Sequence, residues 1–278
     1  MKFTIAILLA SLFLPCKAQS YDPLALSRKI FSTDTLPDIK KYCAGDYTGH
    51  PNGRDISTGL AIAFELLEQN NKTAVVAITL SDSTGISLDT YMHFIKDSIW
   101  KISGFRTLAM TGLTGEIYQQ LSTLSPIQVD SVLQSPHTRK KDMRLFKSRG
   151  EYQFMLGNTK LILSSDKDLI EHFNKNKAQF FKLKNELIAA GIYKSQTGTK
   201  RMKGMDGINL GLKKLFIDNV KSNTNELKNS LDFMIGGILD NTVGYLYIKD
   251  ENNVPQMSPG NYIMVRSLGD GWYLYKTT

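Results

Sequence analysis

The chain has 278 residues, 42% of them hydrophobic and 22% charged, and its 34 Lys and Arg against 26 Asp and Glu give a formal charge of +8. That length supports one large core or two ordinary ones, and the composition excludes a disordered, collagenous or disulfide-framed chain. The basic excess modestly favours acidic partners or surfaces and says nothing about fold.

The first predicted element is an export signal. Met1-Lys2 supplies a positive start, Phe3 to Leu14 is apolar but too short to span a bilayer, and Cys16-Lys17-Ala18 places small residues correctly for a cut before Gln19. The alternative is a lipid anchor on Cys16, which Pro15 and the bulky Leu12-Phe13-Leu14 suit poorly. No later stretch is long and apolar enough for a transmembrane segment, so an exported protein, periplasmic or extracellular, is expected. Cutting after residue 18 removes Lys2 and Lys17, lowers the charge from +8 to +6, and leaves Cys43 as the single cysteine. Cys43 reads as a small buried residue rather than a reactive thiol.

Residues 19–135 read as a first α+β domain. Asp22-Pro23 has the form of an N-cap and first-turn proline before Leu24, Leu26, Ile30 and Phe31. A short helix follows from Pro37 to Cys43, then a loop to Asp55. Residues 60–68, 73–81, 87–96 and 99–106 alternate as four antiparallel strands, with turns at Gln69-Asn70-Asn71, Thr84-Gly85 and Asp97-Ser98. The first of these also fits helical spacing through Leu60, Phe64 and Leu67. Ser125-Pro126 restarts a helix that ends near Gln134.

Residues 136–150 read as a basic linker, with Arg139, Lys140, Lys141, Arg144, Lys147 and Arg149 against Asp142; a patch for an anionic surface is the alternative. A second α+β domain, 151–278, is expected to open with a hairpin around Gly157-Asn158. A long helix then runs from the Ser165 cap to Gly191, with Asp168 as the capping-box acid and Leu169, Phe173, Phe180, Leu183 and Leu187 on its buried face. After a basic, glycine-rich stretch over 193–211 comes an antiparallel meander near 231–236, 241–249, 260–267 and 271–277. Trp100 and Trp272, the only tryptophans, each follow the last hairpin turn of their half. A shared hairpin solution and a duplication both account for this.

The runs Thr73-Ala74-Val75-Val76-Ala77-Ile78-Thr79-Leu80, Asp89-Thr90-Tyr91-Met92-His93-Phe94 and Asp97-Ser98-Ile99-Trp100-Lys101-Ile102-Ser103 resemble the sheet of the nuclear transport factor 2-like (SnoaL-like) superfamily. The resemblance covers roughly residues 20–110 and implies helices packed on a strongly bent antiparallel sheet, a cone with a pocket. That superfamily includes enzymes, binding proteins and assembly modules, so it implies a shape and no reaction.

With two-residue turns at Thr84-Gly85 and Asp97-Ser98, strand alternation places Val76, Ile78, Leu80, Asp89, Tyr91, His93, Ile95, Trp100 and Ile102 on one face. Tyr91, His93 and Trp100 are then the candidate ligand-binding residues. Asp89, Tyr91 and His93 form a candidate acid–phenol–imidazole set, with His93 as general base, or else merely satisfy buried backbone groups. The four histidines lack metal-ligand spacing, the glycines of 204–211 form no phosphate loop, and Ser81, Ser83 and Ser87 lie in turns; no metal and no cofactor are expected. Lys200, Arg201 and Lys203 read as a solvated loop rather than a nucleic-acid contact. Three functions remain open: a non-catalytic binding or interaction protein for a small molecule or protein partner, a SnoaL-like small-molecule enzyme, and electrostatic attachment to an anionic surface.

Overall fold

The computed structural model describes residues 21–32, 36–134, 145–192, 206–222, 227 and 229–278. The signal at 1–18, most of the basic linker and the Lys200–Lys203 cluster lie outside the described residues. Within them the protein is α+β, with seven α-helices and two antiparallel sheets of four and five strands.

Helix α1, Pro23–Ile30, starts as its sequence dictates: Asp22 Oδ1 accepts from the Ala25 N–H at 2.7 Å. The expected helix at 37–43 is a single 3-10 turn, Ile39–Tyr42. Cys43 is half-buried, its thiol donates to the Ile39 carbonyl, and burial pushes its pKa up. Strands β1 Ala61–Gln69, β2 Thr73–Ser81, β3 Ser87–Lys96 and β4 Trp100–Arg106 form a meander in chain order.

Helices α2 Thr111–Ser122, α3 Pro126–Gln134 and α4 Arg149–Ile162 follow. Leu121, Val129 and Phe146 bury together, with Tyr152 and Met155 against them. Helix α4 replaces the hairpin expected around Gly157-Asn158. Those turn-prone residues sit inside the helix because both serve close packing. A Cβ on Gly157 would lie 2.1 Å from the Phe216 ring. The Asn158 amide donates to the Phe216 and Ile235 carbonyls at 2.8 and 2.6 Å. The long helix expected from Ser165 is two, α5 Asp166–Lys175 and α6 Lys177–Ala189, broken where Asn176 leaves helical geometry and donates back to the His172 carbonyl.

Helix α7 Asp206–Lys214 leads to β5 Asn219–Ser222, β6 Ser230–Ile238, β7 Asn241–Ile248, β8 Tyr262–Gly269 and β9 Trp272–Thr277, ordered β5-β6-β7-β9-β8. One face of this sheet buries Phe233, Tyr245 and Trp272 against Leu169, Phe173 and Phe180 of α5 and α6. The same cluster takes in Val75, Ala77 and Tyr91 from the first sheet, so the two halves share a core.

The first sheet meets the segment before β8 at Gly104, where an added Cβ would stand 2.6 Å from the Pro259 side chain. A Gly104→Val substitution is expected to lower stability by about 1–3 kcal/mol through overpacking. Urea denaturation checks this, and an unchanged midpoint would mean that the contact is soft.

Candidate functional site

Strand register decides which side chains meet. Ile78 pairs with Thr90 and Val76 with Met92, one residue from the expected partners. The cause is a five-residue loop at 82–86, organised by Asp82 Oδ1, which accepts from the N–H groups of Thr84 and Ile86. Across the next turn Lys96 pairs with Trp100 and Phe94 with Ile102, because the loop 97–99 has three residues.

Each one-residue slip exchanges faces. The single face expected from the sequence is therefore two. Val76, Ile78, Trp100 and Ile102 pack with Met92 and Phe94 under α1, Leu26, Ile30 and Phe31. Asp89, Tyr91 and His93 point the other way with Val75 and Ala77, toward the C-terminal half. Trp100 is thus no neighbour of His93. It is a core residue capped by the Lys96 ammonium, 5.3 Å from its ring centroid.

The three polar residues share a face without forming a relay. Asp89 Oδ1 accepts from Thr79 Oγ1 at 2.6 Å, and its Oδ2 accepts from the Asp166 backbone N–H at 2.5 Å. Asp89 thereby places a carboxylate on the N-terminus of α5, a favourable site for negative charge. The Tyr91 hydroxyl donates to Asp166 Oδ1 at 2.7 Å, and burial, then the charges of Asp166 and Asp89, keep it a neutral phenol. His93 bonds to the Ile263 backbone, and its Nε2 has no hydrogen-bond partner. Burial, with Arg106 nearby, pulls its pKa down to about 4, which makes it a weak base.

What the first sheet meets is a buried ion cluster. Lys276 on β9 is 4% exposed, and its Nζ lies 2.8 Å from Asp166 Oδ1 and 4.0 Å from Asp89 Oδ2. The ammonium also lies over the Tyr91 ring. Arg266 on β8 donates through Nη1 to Glu65 Oε1 at 2.6 Å and places Nη2 3.5 Å from Asp166 Oδ2. Burial weakens the guanidinium's hold on its proton, but the Glu65 bond and the charges of Asp166 and Glu65 outweigh this and raise its pKa.

Two hollows flank the cluster and share Asp89 as a wall. One, of about 300 Å³, is chiefly apolar, lined by Leu88, Leu108, Ile162 and Leu163 with Lys276 at its base. The other, of about 390 Å³, lies between the first sheet and α5 and carries Glu65, Asp89, Asp166 and Arg266 among hydroxyl side chains. Two buried polar atoms of this cleft's walls, Asp166 Oδ2 and Arg266 Nε, have no hydrogen-bond partner.

Sequence reasoning missed Asp166, Arg266 and Lys276. A signal for the last was present: Trp272, Leu274 and Lys276 share one face of β9, so a lysine occupies an inward position. Compared with protein-family models, curated proteins and solved structures, the chain matches none.

Proposed function

We propose that this is an exported, non-catalytic binding protein whose small polar ligand seats in the cleft between the first sheet and α5. The observation that carries the reading is the cleft itself, about 390 Å³ of space whose walls carry Glu65, Asp89, Asp166 and Arg266 together with the hydroxyls of Thr79, Ser81, Ser87 and Ser165. The rest of the cluster favours holding over turnover. Its carboxylates are committed to Lys276, Arg266 and a helix terminus, and its phenol stays protonated. His93, the base an enzymatic reading would use, is paired with backbone and titrates near 4.

The absence of any helix long and apolar enough to cross a membrane, among the described residues, is compatible with export after signal removal. Amino acids, sugars, polyamines and small carboxylates, each screened by thermal shift, test the proposal. One class is expected to raise the melting temperature, since a ligand at 100 times its Kd contributes about 2.7 kcal/mol. Ala63 is exposed at the cleft wall, so Ala63→Trp should fill the cleft, leave the unliganded melting temperature unchanged and abolish the shift. Stabilisation that survives this variant, or none by any class, would sink the reading.

A further inference from the structure

We infer that strand β1 is a pairing edge for a second copy of this chain, joining two four-stranded sheets across a twofold axis. The edges of the two sheets are not equivalent. Along β4 the chain at 43–46 closes the ladder: the Ala44 and Asp46 N–H groups donate to the Ile102 and Ser103 carbonyls at 2.8 and 3.1 Å. Strand β5 has only four residues, and β8 abuts the first sheet through the His93 bond to the Ile263 backbone and the Arg266–Glu65 pair. Strand β1 has nine residues, none of them proline or lysine. Among the described residues, no other strand or loop backbone bonds to the side of β1 away from β2. A strand left this way presents a row of N–H and C=O groups held only by water, a template for another strand.

The sequence of β1 selects the occupant. In an antiparallel pair about a twofold axis normal to the sheet, opposed side chains share a face, so one residue must face its own copy. The bulge between Leu66 and Glu68 confines regular pairing to 61–66. Centres at Ala63 and Phe64 keep the longest stretches paired, 61–65 and 62–66. A centre at Glu65 shortens the overlap and sets carboxylate against carboxylate. The Ala63 centre faces alanine with alanine and carries Leu66 past the strand's start to Leu60.

The Phe64 centre has neither fault. Phe64 faces its copy, Ile62 of each chain faces Leu66 of the other, and Ala63 of each faces Glu65 of the other. Ile62 and Phe64 already border the core under α1, and Leu66 on the same face is 39% exposed. Pairing therefore extends that core across the axis. On the opposite face the small Ala63 leaves room for the opposing Glu65, whose charge Arg266 of its own chain holds at 2.6 Å. The paired strand is only about 17 Å long, short beside a permanent homodimer interface, so association should be weak and concentration-dependent.

Sedimentation velocity of the mature protein from micromolar to near-millimolar concentration tests this, with amide hydrogen exchange at both ends of the range. A monomer–dimer equilibrium is expected, with exchange over 61–66 slowed at the concentrated end. Leu66→Lys spoils both Ile62–Leu66 contacts at once and should weaken the dimer by about tenfold or more, with the dilute protein still folded. Residue 66 lies on the face away from the cleft lined by Ala63 and Glu65, so ligand binding there is untouched and the two readings fail separately. Ile127→Lys, at an exposed isoleucine of α3, should leave the equilibrium unchanged. A chain that stays monomeric throughout overturns the inference. So does a dimer whose 61–66 amides exchange as fast as in dilute solution, or one that Ile127→Lys weakens as much as Leu66→Lys. A synthetic peptide of residues 60–67 should compete with the dimer, and a dimer indifferent to it also overturns the assignment.

Discussion

Replacing Lys276 by methionine is expected to lower the unfolding free energy by about 3–5 kcal/mol, the usual consequence of stripping one partner from a buried ion pair. The size follows from position. Lys276 is almost wholly enclosed and serves two carboxylates, Asp166 at 2.8 Å and Asp89 at 4.0 Å. Without it Asp166 keeps the Tyr91 hydroxyl and a distant guanidinium, too little for a carboxylate out of water. Adding Asp166→Asn to Lys276→Met should recover part of the loss, so the double variant is less destabilised than the sum of the singles by about 1 kcal/mol or more. Urea denaturation of the four proteins gives both numbers. A Lys276→Met loss below about 1 kcal/mol would mean that the ions are well hydrated rather than enclosed.

Acid should separate two variants that look alike at neutral pH. His93 holds its proton more weakly folded than unfolded, at about 4 against 6.5. Its stabilising share is therefore complete above pH 6.5 and falls away by about 3 kcal/mol as the pH drops to 4. His172, lowered by burial against its Leu215 bond, adds to the same trend. Asp232 has the opposite sign. Burial raises its carboxyl to about 6, against the Tyr275 hydrogen bond and the nearby Lys221. A carboxyl raised in the folded state stabilises at low pH, and this share, roughly 2–3 kcal/mol, is lost as the pH climbs from 4 through 6.

The two effects largely cancel in the native chain. Asp232→Asn is expected to expose the histidine trend, losing about 3 kcal/mol between pH 6.5 and 4. His93→Gln should reduce that trend by a similar amount and leave the Asp232 sign dominant. Denaturant midpoints along that pH range measure both, and superimposable profiles for the two variants would disprove the assignment.

The strands were legible because alternation survives in any register. Ranges for β2 to β4 and β6 to β9 follow from the period, while β1 fits helical spacing as well; the caps at Asp22 and Ser165 follow from residue type beside a helical run. Which face Asp89, Tyr91 and His93 occupy was not legible, since that depends on the parity of two loops. Asp82 sets one parity through its own side chain, a local effect that composition does not reveal. Helix α2 went unseen because Gly112 and Gly115 weaken its intrinsic preference, and packing against α4 supplies the difference. Helix α4 was misread because Gly157 and Asn158 serve neighbours distant in sequence. The ion cluster was hidden for the same reason: Arg266 and Glu65 stand 201 positions apart.

Strand β9 is synthesised after all its neighbours yet lies inside the sheet, between β7 and β8. Until it emerges, β7 and β8 have no shared ladder, and the aromatic side chains of α5 and α6 lack Trp272. Asp89 and Asp166 meanwhile have no ammonium between them. Closure of the second sheet and neutralisation of the buried carboxylates therefore wait for the strand that holds Trp272 and Lys276, whereas the core under α1 draws only on residues 21–105 and is independent of it.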